Sequence, residues 1–201
     1  LLNGALEKTN EGYAIAKIAG LKLCENLRNQ YGLDTLSLMP TNLYGPGDNY
    51  HPKNSHVIAA LIRKFHNAVL NKEKTVTCWG SGLPKREFLH AEDLGSAVVF
   101  CLENWDPSFN ELDYLNVGTG KPISVIKIAK ILKSKVIYIQ KRPGEPERTH
   151  ANISKIKKEL NWKPKINFSE GIKLTFDWYN NNKMYYNSLK KKDIHKRLGN
   201  K

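Results

Sequence analysis

The sequence predicts an α/β fold. Segments whose apolar residues recur at three- and four-residue steps alternate with short apolar runs, and Gly, Pro and Asn punctuate the joins. The chain of 201 residues and 22.9 kDa is long enough for a real core. With 40% hydrophobic and 25% charged residues it has a globular composition, which argues against disorder or a fibre.

Element by element, Tyr13 to Gln30 carries Ile15, Ile18, Ala19, Leu23 and Leu27 at helical spacing after Asn10-Glu11, which predicts a buried amphipathic helix ending near Gly32. Thr35 to Met39 reads as a strand, and the Pro-, Gly- and Asn-rich stretch from Pro40 to Asn54 as a long loop. His56 to Ala68 returns to helical spacing, with Asn54-Ser55 as its start signal. Val76 to Trp79 reads as a strand, Gly80-Ser81-Gly82 as a turn, Arg86 to His90 as a strand and Ala91 to Glu103 as a helix. Tyr114 to Val117 is a further strand, Ile123 to Leu132 a helix opening near Pro122, and Lys135 to Ile139 a strand. Lys141 to Pro146 reads as a loop, and helices at Ile153 to Leu160 and Phe168 to Tyr179 close the body.

The net charge of +13 invites a nucleic-acid or acidic-membrane partner. Its location weakens that reading. Residues 181 to 201 hold Lys183, Lys190, Lys191, Lys192, Lys196, Arg197 and Lys201 against Asp193, a tail of +6 that leaves +7 for the rest. A solvated chain end is the plain alternative to a binding arm, and no nucleic-acid motif is present. No run reaches the roughly 18 uncharged apolar residues of a membrane helix, and no secretory leader opens the sequence. Cys24, Cys78 and Cys101 are widely spaced and odd in number. They suit a reducing cytoplasm and show no metal-binding pattern.

Tyr13 and Lys17 stand four apart, which on a helix places them one turn apart on one face. An ammonium so placed favours the phenolate, letting the hydroxyl pass a proton to or from a substrate oxygen. Spacing alone leaves a surface pair as the alternative, since Tyr179 with Lys183 and Tyr186 with Lys190 match it too. Context separates the first pair, because its helix leads through a strand into Pro40-Thr-Asn-Leu-Tyr-Gly-Pro-Gly, where a strand end delivers a loop to a ligand site.

These residues also carry a family resemblance. Tyr13-Ala-Ile-Ala-Lys17, Pro40-Thr-Asn-Leu-Tyr-Gly-Pro46, Trp79-Gly-Ser-Gly, Arg86-Glu-Phe-Leu-His90, Asp93 and Asn116-Val-Gly-Thr-Gly120 follow one another. Their order resembles that in the extended short-chain dehydrogenase/reductases that modify nucleotide sugars. Through Pro40 to Asn49 and His51-Pro-Lys-Asn-Ser-His-Val-Ile58, the chain is most similar to the GDP-L-fucose synthase family, the GDP-4-keto-6-deoxy-D-mannose 3,5-epimerase/4-reductases. The similarity runs from about Leu2 to Tyr179 and loosens after Lys121, where the sequence reads more like related epimerases.

The resemblance implies an incomplete Rossmann-like parallel sheet with a smaller C-terminal α/β substrate-binding portion. Residues 1–50, with pieces near 80–118, would belong to the dinucleotide domain, 51–180 mainly to the GDP-sugar portion and 181–201 to a disordered tail. It implies NADP(H) as cofactor, GDP-4-keto-6-deoxy-D-mannose as substrate, GDP-L-fucose as product and a homodimer for the complete protein.

Residue by residue, the resemblance makes Tyr13 the acid for reduction at C4, with Lys17 holding the nicotinamide ribose. Pro40, Thr41, Asn42 and Leu43 would touch cofactor, and Asn42 also substrate. His56 would be an acid in the epimerisations and lie beside the cofactor; a solvent-exposed helix-start histidine is the alternative. Imidazole in general titrates near neutrality and serves in both protonation states. Lys64, Trp79, Arg86 and Arg148 would hold the GDP-sugar, an arginine matching a diphosphate as a bidentate fork and an indole giving a flat apolar wall. A solvated side chain is the alternative for each cation. Asn116 to Gly120 reads as a structural strand end and turn.

The same resemblance places the phosphate-binding glycine loop, the catalytic serine and the cysteine base ahead of Leu1, so the chain corresponds to roughly the last three-fifths of such a protein. Little reductase activity is therefore expected of it alone, and an uncovered edge strand and helix face should make it aggregation-prone. Two other readings stay open: a non-catalytic remnant that binds a GDP-sugar or a partner chain, and another nucleotide-sugar epimerase or dehydratase.

Overall fold

A computed structural model describes residues 4–52, 55–106, 114–131, 136–139 and 147–182. After a 3-10 turn at Lys8–Asn10, α1 (Glu11–Tyr31) leads to β1 (Ser37–Pro40) and β2 (Asn42–Tyr44). Then come α2 (Val57–Leu70), β3 (Val76–Trp79), β4 (Lys85–Arg86), β5 (Phe88–His90) and α3 (Ala91–Asn104). β6 (Tyr114–Val117), β7 (Ile123–Ser124), α4 (Val125–Ile131), β8 (Val136–Ile139), β9 (Arg148–Thr149), α5 (Ser154–Leu160) and α6 (Phe168–Asn181) complete the order.

The pairing is mostly parallel. β1 runs with β6 from Ser37 opposite Tyr114 to Pro40 opposite Val117. β2 runs with β5, Tyr44 opposite His90, and β3 with β8. β4 lies between antiparallel β7 and parallel β9. Parallel partners need crossover connections, and helices lie within them: α2 falls between β2 and β5, and α3, between β1 and β6, packs with both β6 and α5 around a shared core.

Among the described residues two apolar clusters form, and β5 divides them. Successive strand side chains point to opposite faces. Phe88 accordingly joins the cluster built from Tyr44, α2, β3, α4 and α6, while its neighbour Leu89 joins α3, β6, α5 and Trp162. The second cluster joins segments from 36–38 and 89–117 to the 151–162 segment that carries α5.

Buried polar groups bind the layers. Asp93, in the first turn of α3 and buried, accepts the backbone N–H of Lys165 at 2.9 Å and of Ile166 at 3.1 Å, which ties the chain ahead of α6 to the end of β5. Asp93→Ala should destabilise the fold by about 2–4 kcal/mol, because two N–H donors lose a charged acceptor that is itself buried. Urea unfolding of the two chains checks this.

Several sequence expectations need correction. α1 ends where predicted, at Gly32 with φ +66 and its N–H on the Arg28 carbonyl, a left-handed cap that suits glycine. It is not buried, however. Arg28 is its sole buried residue, while Tyr13, Ile15 and Leu23 are 63%, 53% and 58% exposed. The periodic apolar stripe is present, but among the described residues little packs on it. Among the described residues β1 likewise pairs with β6 alone.

The Pro40–Asn54 loop contains β2, short and pleated against β5. His56, not Asn54-Ser55, is the N-cap of α2. The strand expected over Arg86 to His90 breaks at Glu87 into β4 and β5, which pair in different sheets. The helix expected from Ile123 begins at Val125, because Ile123 and Ser124 pair with β4, and β9 was not expected at all. Two-residue strands such as these are set by their neighbours and leave no period in a sequence. The 141–146 loop, the start of the β8 strand at Lys135 and the basic tail beyond residue 182 fall outside the described residues. No helix among the described residues is long and apolar enough to cross a membrane, and no group of three or more His, Cys, Asp or Glu side chains there could hold a metal.

Candidate active site

A cavity of about 850 Å³ opens at the C-terminal ends of β1 and β6 and over β4 and β5. This is where parallel α/β sheets present their loops to ligands. Tyr13, Pro40, Thr41, Asn42, Leu43, His56 and Arg86 all line it. Residues more than seventy positions apart in sequence thus meet at one surface.

α1 delivers Tyr13, exposed at the rim, with the Lys17 ammonium 5.5 Å from its ring centroid. Lys17 itself does not line the cavity but sits against the group that does. The β1–β2 junction forms the next wall. Thr41 N–H bonds to the Val117 carbonyl at 3.0 Å, and the Asn42 amide donates to the Glu87 carbonyl at 2.9 Å, which fixes this segment on β6 and β5. The Thr41 hydroxyl is buried in this wall with no hydrogen-bond partner among the described residues.

His56 enters from the N-terminus of α2. Its backbone is extended (φ −68, ψ 167) and its side chain makes no capping bond, so the imidazole is not used up in holding the helix. Asp48 lies on the same wall. Burial pushes its carboxyl up, opposed by the Asn49 N–H and then by His56 nearby. Beneath, burial and secondarily the Asp93 carboxylate push the Tyr44 phenol up, so Tyr44 is a packing residue held between His90, Phe88 and Phe168.

Arg86 comes from β4, half-buried, one of its guanidinium nitrogens bonded to the Lys85 carbonyl at 3.0 Å. Of the other cations expected at a GDP-sugar, Lys64 is turned away and donates to the Thr77 carbonyl at 3.0 Å. Arg148 is exposed on β9 opposite Lys85 and does not line the cavity, though its neighbours Thr149 and His150 do. The side chain of Trp79 lies outside the described residues.

Sequence reasoning missed Asp48, Glu87, His150 and Ala151 as wall residues. Glu87 stands inside the Arg86-Glu-Phe motif and was open to notice; His150 and Ala151 follow a two-residue strand that no periodicity reveals. Asn116, read as structural, also lines the cavity and donates to the Asn152 carbonyl at 3.0 Å.

Comparison with known proteins agrees with this architecture. The chain is 45% identical over 185 residues to the probable GDP-L-fucose synthase 1 of Oryza sativa subsp. japonica, a match that covers 89% of this chain and 55% of the relative. It is 42% identical over 193 residues to the GDP-L-fucose synthase of Escherichia coli K12, covering 89% of this chain and 59% of that one. Among solved structures, a GDP-mannoheptose C4 reductase from Campylobacter jejuni with NADP bound superposes with a TM-score of 0.75 at 30% identity, over 90% of this chain and 63% of that one. The chain therefore spans a little over half the length of the curated relatives it matches, and the likeness to GDP-L-fucose synthases read from its motifs is borne out. The model of the NAD dependent epimerase/dehydratase family matches residues 1–118, and the chain belongs to that family.

Proposed function

We propose that this chain is the C-terminal portion of a GDP-L-fucose synthase, converting GDP-4-keto-6-deoxy-D-mannose to GDP-L-fucose by 3,5-epimerisation and NADPH-dependent 4-reduction. One observation carries the reading: a single cavity holds the Tyr13 phenol with Lys17 behind it, the His56 imidazole and the Arg86 guanidinium. These are an acid for a carbonyl oxygen, a second proton carrier for carbons next to that carbonyl, and a cation for a diphosphate.

The cavity wall suits a nicotinamide ribose. The partnerless Thr41 hydroxyl and the exposed Tyr13 phenol stand along the β1 end, where a polar sugar ring would supply the missing partners. When bound, the nicotinamide supplies hydride. The chain's own residues do the rest: Lys17 orients and polarises Tyr13, and Tyr13 gives its phenolic proton to the oxygen at C4. His56 moves protons at the carbons flanking C4 while that carbon is still a ketone, because the carbonyl is what makes those hydrogens acidic. Epimerisation therefore precedes reduction.

The reading predicts which ligand this chain holds. Arg86 stands within it, whereas no glycine-rich loop opening a helix is found among the described residues. GDP and GDP-mannose should bind more tightly than NADPH. Arg86→Ala should lower GDP affinity about 10- to 100-fold, the effect of a lost charge-assisted contact of about 1.5–3 kcal/mol. Calorimetry with the three ligands tests this, and tighter binding of NADPH than of GDP would overturn it.

A further inference from the structure

We propose that Glu87 is a positioning residue for the diphosphate side of this site, its buried carboxylate clamping two distant backbone segments so that Arg86 is held at the cavity wall. The proposal rests on the reading of the Arg86 wall as the place of a nucleoside diphosphate. Glu87 is 1% exposed, and among the described residues no cation pairs with it. Its partners are backbone donors. Oε1 accepts the N–H of Thr119 at 2.6 Å and of Gly120 at 2.7 Å, and Oε2 accepts the N–H of Ala151 at 2.8 Å. The Thr119 hydroxyl adds a longer contact at 3.4 Å.

The main chain of the same residue completes the junction. Its N–H bonds to the Thr149 carbonyl at 3.2 Å, and its carbonyl accepts from Asn42. Glu87 so joins the turn after β6, the segment after β9 and the start of β2. Two of these three, through Asn42 and through Thr149, His150 and Ala151, are walls of the cavity.

The chemistry asks for a carboxylate. Three N–H donors converge on two oxygens, and only an acceptor-only group satisfies them all. An amide of the same shape would turn an NH2 towards at least one donor. Gly118 shows how closely the clamp is built, because a Cβ there would collide with Glu87 Oε1 and with the Thr41 methyl. Glu87 also sits at the break between β4 and β5, immediately after Arg86. Alternation along an extended chain sends its side chain inward where that of Arg86 faces the cavity. The bonds that fix Glu87 therefore fix the peptide plane from which the guanidinium extends.

The test uses the 201-residue chain and its Glu87→Gln variant, with GDP and GMP as probes. We expect Glu87→Gln to unfold cooperatively and to speed hydrogen exchange of the Ala151 amide at least about tenfold. Its GDP affinity should fall about tenfold while GMP affinity changes much less, because the arginine's fork acts on the diphosphate. An equal loss for GDP and GMP, or no loss for either, overturns the positioning role. If the parent chain binds neither, the site reading fails, and the Arg86 Nε–H resonance decides the clamp: it shifts in Glu87→Gln if Glu87 holds the arginine and is unmoved if it does not. Should the variant fail to fold, the parent chain still decides. Amides of Thr119, Gly120 and Ala151 that exchange together, as one opening unit, support the clamp, and an Ala151 amide that exchanges on its own refutes it.

Discussion

With this chain joined to the part of the Escherichia coli relative that it does not span, Tyr13→Phe should lower the rate of 4-reduction by about 10²–10⁴-fold, the usual contribution of a positioned acid. The change removes one oxygen and leaves the ring on α1. Because Tyr13 is largely exposed in this chain, loss of its hydroxyl should move the stability of the chain by less than about 0.5 kcal/mol. The Lys17 ammonium, 5.5 Å from the ring centroid, remains in place, so ribose binding and KM for NADPH should change little. NADPH oxidation with GDP-4-keto-6-deoxy-D-mannose is the measurement. A variant that retained more than a tenth of the parent rate would show that another group delivers the proton.

His56→Asn in the same fusion should separate the two half-reactions. Solvent-derived deuterium incorporation at C3 and C5 should fall by about 10²–10⁴-fold, while reduction of an already epimerised substrate stays within roughly threefold of the parent. The structure makes this substitution clean. His56 occupies the N-cap of α2 with extended backbone and no side-chain cap, and Asn is among the preferred residues there. The helix should gain rather than lose stability, by about 0.5–1 kcal/mol. Loss of activity then reports chemistry and not unfolding. Equal loss of epimerisation and reduction would refute the separate roles assigned to His56 and Tyr13.

Much of the fold was legible because long elements leave long patterns. α1, α2, α3 and α6 each run 14 residues or more and show helical spacing over their whole length, and β1, β3, β6 and β8 fall within a few residues of the apolar runs that predicted them. What escaped was short. β2, β4, β7 and β9 have two or three residues each, too few for any period. The same limit governed the site. Tyr13, His56 and Arg86 were visible within ordered motifs, whereas His150 gained its place only when β9 paired with β4.

The sequence by itself determined the α/β class, the helices, and the residue types able to move protons and hold a diphosphate. A side chain's chemistry and its spacing on a helix are local properties. The tertiary structure decided which of those residues share a surface. It put Tyr13, Asn42, His56 and Arg86 on one cavity, left Lys64 bonded to the Thr77 carbonyl, and gave Glu87 three backbone donors from two distant segments. At α1 periodicity predicts a buried helix, whereas its apolar stripe is exposed among the described residues, as the resemblance implies. Periodicity records which face of a helix is apolar; whether that face is covered depends on partners elsewhere in sequence, and only packing brings them together.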